Sequence, residues 1–242
     1  MDIFLGELIG TLLLILLGNG VVACTLLSQS KGERGGWIVI TAGWGFAVAI
    51  SVYAVGWISG GHLNPAVTVG LIIAGKTPLA LWPAYIAGQM IGAMIGSWLV
   101  WLVYLPHWRV TQDATLKLLC FCTHPAIRKS GSNFFTEVIA TAVLLVGILG
   151  IFNVHNGIGS GMGPYAVGIL IFSIGLSLGG PTGFAINPAR DLGPRIIHAL
   201  LPISGKRDSE WSYAWIPVLG PLVGGVLGAL FYQTFVAPLS AI

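Results

Sequence analysis

Six long apolar runs divide the chain, at residues 3–27, 37–58, 79–105, 134–152, 165–178 and 211–236. Each approaches or exceeds the ~17–25 residues a helix needs to cross a bilayer, and the fifth, the shortest, is expected to extend at both ends. Stretches at 28–36, 106–132, 153–163 and 201–210 separate runs as loops. Between the second and third runs, and again between the fifth and sixth, the pattern breaks differently. A non-periodic, glycine-containing stretch runs into Asn-Pro-Ala: Gly60-Gly61-His62-Leu63-Asn64-Pro65-Ala66 in one case, Gly183-Phe184-Ala185-Ile186-Asn187-Pro188-Ala189-Arg190-Asp191 in the other. Asn as N-cap and Pro at the first helical position mark a helix start, because Pro lacks an N–H that would go unpaired there anyway. The two helices so predicted, residues 64–75 and 187–199, would be about 18–20 Å long, a little over half of a ~30 Å hydrocarbon core. Two interrupted half-helices at matching places in two halves of an apolar chain point to a central permeation or binding site.

The halves match elsewhere too. The stretch ELIGTLLL beginning at Glu7 pairs with EVIATAVL beginning at Glu137, and Gly88, Gly92, Gly96 pair with Gly220, Gly224, Gly228, at offsets of 130 and 132. Three spanning helices per unit is an odd number, so the second unit must insert upside down relative to the first. The expected fold is an all-α membrane protein: six transmembrane helices plus two half-helices, an inverted repeat of two three-helix units around a central pore. Residues 1–242 form one channel domain, with repeats at 1–115 and 130–242 and a connecting loop at 106–132. The small-xxx-small glycine ladders read as surfaces on which helix backbones approach closely.

Composition sharpens this picture. Of 242 residues 55% are hydrophobic and 8% charged, with a mean hydropathy of +0.89, against the ~25% charged of a soluble domain. The net charge of +3 is spread over loops without a basic run, so nucleic acid is not an expected partner. The start, Met-Asp-Ile-Phe, lacks a positive n-region, so the first apolar run reads as a retained helix. Eight of the eleven Lys and Arg lie in loops 28–36, 106–132 and 201–210, while the opposite face has Lys76; the positive-inside rule puts those basic loops in the cytoplasm.

Several polar residues invite a functional reading. Glu7 and Glu137 sit inside apolar helices, where an ionisable group is costly. Their recurrence favours a role as acceptors for N–H groups of the irregular loops over frayed helix ends. Gly60, Gly61, His62, Leu63, Gly183 and Ala185 should line the pore, His62 as a neutral pore-wall residue rather than a metal ligand or proton relay. Arg190 on the first turn of the second half-helix is either functional or paired with Asp191. Trp44 and Phe184 taken alone read as packing aromatics. Cys120, Cys122 and His124 fall short of the four ligands of a zinc site, so no metal and no cofactor is expected. A half positive charge at each half-helix N-terminus, with a cation about 5 Å from both, gives a repulsion of roughly 3 kcal/mol at an effective dielectric near 20. Ions and protons are barred, and neutral solutes pass.

The paired Asn-Pro-Ala motifs resemble those of the aquaporin superfamily, and Gly-Phe-Ala-Ile-Asn-Pro-Ala-Arg-Asp is similar to its glycerol-conducting branch, the aquaglyceroporins. The resemblance covers the whole chain. It implies that Trp44, Gly175, Phe184 and Arg190 form a selectivity filter. Arg190 would donate to solute hydroxyls, Trp44 and Phe184 would form a greasy wedge, and Gly175 would stand where water-selective members carry histidine. Asp191, Arg195 and Pro217-Val218 match the glycerol branch as well. The resemblance also implies the loop-bracing role for Glu7 and Glu137, a homotetramer with one pore per subunit, and basic loops outside with both termini in the cytosol, against the charge count. The expected function is passive flow of glycerol, with water, urea, dihydroxyacetone and protonated lactic acid as further neutral solutes, in a bacterial plasma membrane. The alternatives are a water-selective channel, a coupled secondary transporter and a structural junction protein; an enzyme is not expected.

Overall fold

The computed structural model describes residues 1–241. In chain order its helices are α1 Asp2–Leu26, α2 Trp37–Ser59, α3 Pro65–Ile73, α4 Trp82–Val103, α5 His107–Val110, α6 Ala114–Leu119, α7 Ser130–Ile151, α8 Gly163–Leu178, α9 Pro188–Leu200 and α10 Trp215–Phe231. A π-turn, Tyr232–Val236, continues α10. Among the described residues there is no strand. The stretches Asp2–Leu26, Trp37–Ser59, Leu79–Val103, Ser130–Ile151 and Trp215–Leu239 are long and apolar enough to cross a membrane, and Gly163–Leu178 is a shorter apolar helix. Large apolar side chains such as Phe46, Trp57 and Phe135 stand exposed on the outside of the bundle, as lipid-facing positions should.

Several boundaries differ from the sequence reading. The fifth run extends only at its N-terminal end, because Gly179-Gly180-Pro181 stops α8. Helix α3 is shorter than predicted and spans about 14 Å at 1.5 Å per residue. Gly75, with φ +69°, turns the chain so that Lys76 N–H donates to Leu71 O at 2.8 Å, a glycine-closed helix end. Helix α7 starts four residues early, at Ser130, and α10 starts four residues late, after a turn over 211–214. The loop 106–132 contains two short helices, α5 and α6. Asp113 caps α6, its Oδ1 accepting from Thr115 N–H at 2.7 Å and Leu116 N–H at 3.3 Å.

The packing is two-fold. Helix α4 lies along α1 and α10 along α7, α2 meets α8, and the short α3 and α9 rest against α10 and α4 respectively. The glycine ladders make the first two contacts possible. A Cβ added at Gly88, Gly92 or Gly96 would come within 2.6, 2.3 and 2.6 Å of the carbonyls of Phe4, Leu8 and Leu12; at Gly224 and Gly228 it would come within 2.3 and 2.5 Å of Val138 and Ala142 O. Backbone meets backbone at both seams, so the ladders serve packing, as small-residue spacing suggested. At Gly88 and Gly220 the added carbon would also meet the Cβ of Glu7 and of Glu137, at 3.0 and 2.8 Å. The same glycines thus leave room for the two buried carboxylates.

Candidate functional site

The site is built on strained backbone at Leu63, Phe184 and Ile186. Leu63 and Ile186, each immediately before a motif Asn, adopt φ of +54° and +44°, a left-handed conformation uncommon for any side chain and an outlier for a β-branched one. Each is gripped from both sides. Leu63 N–H donates to Glu7 Oε2 at 2.7 Å, and Leu63 O accepts from Asn187 Nδ2 at 2.8 Å. Ile186 N–H donates to Glu137 Oε2 at 2.8 Å, and Ile186 O accepts from Asn64 Nδ2 at 2.8 Å. The other carboxylate oxygens take further amides: His62 N–H with the Ser59 hydroxyl on Glu7 Oε1, and Ala185 N–H on Glu137 Oε1. Each repeat therefore supplies a carboxylate to its own loop and an asparagine to the other's.

The asparagines do two jobs at once. Asn64 Oδ1 accepts from Ala66 N–H at 2.8 Å, and Asn187 Oδ1 accepts from Ala189 and Arg190 N–H at 3.0 and 3.2 Å, capping α3 and α9. Each Nδ2 spends one hydrogen on the opposite loop and keeps one, and both residues line a single cavity of about 690 Å³. Pro65 and Pro188 occupy the first helical positions. Ala66 lies against α10, where a Cβ at Gly225 would be 2.6 Å from its carbonyl, and Ala189 is fully buried. These four residues shape the junction from behind.

Gly60, Gly61, His62, Leu63 and Ala185 line the cavity; Gly183 does not. Its N–H bonds Gly179 O at 2.8 Å, and its φ of +82° turns the chain into the wall segment. His62 stacks on Tyr85 with ring centres 4.1 Å apart, and its Nδ1 lies 3.1 Å from Thr68 Oγ1. That hydroxyl has one hydrogen, directed at Asn64 O, and also accepts from Gln89 Nε2. His62 must therefore donate from Nδ1, which leaves Nε2 as an acceptor.

At one end of the cavity the walls are Trp44, Phe184 and Arg190, and past the C-terminal end of α3 they include Lys76. The Arg190 guanidinium carbon lies 4.2 Å from the Trp44 ring centre, a cation–π contact. Its side-chain hydrogen bond, Nη1 to Phe121 O, is long at 3.4 Å, and most of its five N–H donors have no side-chain or backbone acceptor among the described residues. Asp191 is not its ion-pair partner: Asp191 binds Arg195 through two bonds of 2.8 and 3.0 Å and accepts from Thr123 N–H and Oγ–H at 2.8 and 2.6 Å. Arg195 in turn donates to the carbonyls of Ser209 and Thr123, so the pair braces the loops over α9. Phe184 meets Trp37 edge to face at 5.7 Å. Gly175 stands behind Phe184 and does not line the cavity: a Cβ there would lie 2.8 Å from Thr41 Cγ2 and 3.0 Å from Phe184 Cζ. A larger residue at 175 would thus have to displace Thr41 or Phe184.

Cys120 and Cys122 are buried and donate to the Leu116 and Leu118 carbonyls, and burial pushes both thiols well above their ordinary range, away from the thiolate a metal would need. His124 is engaged with Glu210 at 2.7 Å. Sequence reasoning missed Asn19, Phe121, Thr123, Gln89 and Thr68, which bond to one another or to Glu7, His62, Arg190 and Asp191. A polar residue inside an apolar run was the available signal for Asn19 and Gln89; Phe121 acts through its carbonyl, which no side-chain pattern reports.

Comparison with known proteins identifies the family. The model of the family described as "Major intrinsic protein" matches residues 1–232. The chain is 59% identical to the "Probable glycerol uptake facilitator protein" of Thermotoga maritima over 96% of its length and 99% of that protein. It is 54% identical to the "Glycerol uptake facilitator protein" of Bacillus subtilis over 96% of its length and 84% of that protein. The solved aquaglyceroporin of Plasmodium falciparum superposes with a TM-score of 0.90 at 32% identity, covering 99% of this chain and 98% of that one. The chain belongs to the major intrinsic protein family of membrane channels and facilitators.

Proposed function

We propose that this protein is a passive plasma-membrane channel for glycerol and other compact neutral solutes, excluding ions and protons. The observation that carries this reading is the constriction: Arg190 donors beside the Trp44 and Phe184 rings, followed by one spare amide hydrogen on each of Asn64 and Asn187. A polyol has hydroxyls along one edge and C–H groups along the other. The donors serve the first edge and the rings the second, while the converging half-helix N-termini repel cations. The relatives named as glycerol facilitators support the same solute.

A strictly water-selective channel fits less well, because Gly175 leaves space that a side chain could fill only by displacing Thr41 or Phe184. The loops do not offer a coupled transporter a titratable carboxylate for its ion: Glu7 and Glu137 are spent on backbone amides. By the same reasoning we read the chain as a conduit and not an enzyme, built from inverted repeats at 1–115 and 130–242. We further propose a homotetramer, with one pore in each subunit and both termini cytosolic.

The test is vesicle swelling by light scattering with purified protein and a panel of solutes. Glycerol flux should be linear in concentration and independent of pH; saturable, proton-dependent uptake would point to the transporter. Arg190→Ala or Phe184→Ala should raise the ribitol-to-glycerol permeability ratio about tenfold, the effect of roughly 1.4 kcal/mol at the barrier. An unchanged ratio would remove the filter assignment.

A further inference from the structure

We propose that Gly18 and Asn19 of α1, which lie outside the lumen, are specificity-determining positioning residues: Gly18 seats the Trp44 ring, and Asn19 holds the Phe121 carbonyl that receives Arg190. This deepens the channel reading and rests on it.

Gly18 acts by absence. A Cβ at that position would lie 2.2, 2.4 and 2.5 Å from Trp44 Cζ3, Cε3 and Cη2. Three nearly equal distances to consecutive ring atoms put the added carbon over the ring face rather than at its edge. Trp44 is 4% exposed, so its ring has no outward retreat from a methyl group at 18 except along the pore wall, where the Arg190 guanidinium lies.

Asn19 acts by one hydrogen bond. It is fully buried in a helix that is otherwise apolar at that level, and its Nδ2 donates to Phe121 O at 3.2 Å. The amide orientation is fixed by chemistry, since a carbonyl can only accept. Its Oδ1 has no partner among the described residues. A leucine would fill the same space without leaving a buried acceptor unpaired, so packing does not account for Asn19; the bond to Phe121 does. That carbonyl is the one to which Arg190 Nη1 donates. The strand of chain that carries it is pinned two residues on, where Thr123 is bound by Asp191, the neighbour of Arg190. Asn19 supplies the matching anchor on the α1 side. With both anchors the guanidinium has a fixed acceptor, and without Asn19 the carbonyl can swing and Arg190 with it.

The experiment compares ribitol and glycerol permeability in vesicles for the native protein and for Asn19→Leu, Asn19→Ala, Asn19→Gln and Gly18→Ala, alone and combined with Arg190→Ala. Asn19→Leu and Asn19→Ala should raise the ribitol-to-glycerol ratio about 3- to 10-fold, the equivalent of one buried hydrogen bond, and Asn19→Gln, which keeps a donor, should recover part of the native ratio. Added to Arg190→Ala, either substitution should change the ratio no further, whereas a general loosening of the bundle would add its own increment. Gly18→Ala should lower glycerol relative to water by pressing Trp44 inward. A native ratio in both Asn19→Leu and Asn19→Ala, or full additivity with Arg190→Ala, would overturn the proposal. Lack of glycerol flux in the native protein would strike the channel reading instead.

Discussion

Glu7 and Glu137 show what it takes to keep irregular backbone at membrane depth. The loops before the two motifs cannot form a helix, because Leu63 and Ile186 sit at positive φ, and among the described residues no strand pairs with their amides. A carboxylate with two oxygens satisfies two amides at once: Leu63 and His62 in one half, Ile186 and Ala185 in the other. Glu137→Leu would orphan both N–H groups, at ~1–3 kcal/mol each, so the unfolding free energy should fall by about 4 kcal/mol. Glu137→Gln keeps one acceptor and should lose about half of that. Titration with SDS in mixed micelles reads both values; native resistance in the leucine variant would show that the loop holds its shape without the carboxylate. Both Glu positions were legible in the sequence, because a charge in an apolar run is conspicuous. The strain they hold was not, since neither Leu nor Ile advertises a left-handed conformation as Gly or Asn would.

At the scale of helices, the seams α1 with α4 and α7 with α10 depend on backbones touching. Gly92 and Gly224 are the tightest positions, each with a carbonyl 2.3 Å from where a Cβ would stand. Backbone cannot swing aside as a side chain can, so Gly92→Ala and Gly224→Ala should each cost about 1–3 kcal/mol, and valine at either place should prevent a monodisperse protein in detergent. Gly20 on α1 has nothing within 4 Å of its missing Cβ, and Gly20→Ala should be neutral or stabilising by up to about 1 kcal/mol. Thermal unfolding followed by size-exclusion chromatography compares the three, and equal midpoints would refute the seam argument. The ladders, the six runs and the two half-helices were readable because spacing and length carry them. Helices α5 and α6 were not, being too short to leave a period. The early stop of α3 depends on Gly75 closing the end, a choice between helix interior and cap that the apolar pattern through Ile73 leaves undecided.

On the scale of the whole molecule, two rules give opposite orientations, and the side-chain contacts bear on which applies. The charge count places eight cations on one face, yet four of them are built into the fold there. Lys206 Nζ donates to the carbonyls of His198, Ala199 and Leu201, at the C-terminal end of α9 where a cation is favoured. Lys117 donates to Ser204 O, and Arg128 and Arg207 both reach Glu210. Lys117, Arg128 and Arg207 tie loop 201–210 to loop 106–132, and Lys206 closes the end of α9, so these four cations have a structural use on this face apart from any insertion signal. That leaves Lys31, Arg34, Arg109 and Lys129, with no side-chain partner among the described residues, against Lys76. If this face is extracellular, an impermeant maleimide added to intact cells should label Arg109→Cys and leave Lys76→Cys untouched until the membrane is opened. Both positions are exposed, and the experiment needs a Cys24→Ser background, because Cys24 is only partly covered while Cys120 and Cys122 are buried. The reverse labelling pattern would mean that the charge rule governs this chain and that α3, not α9, enters from outside.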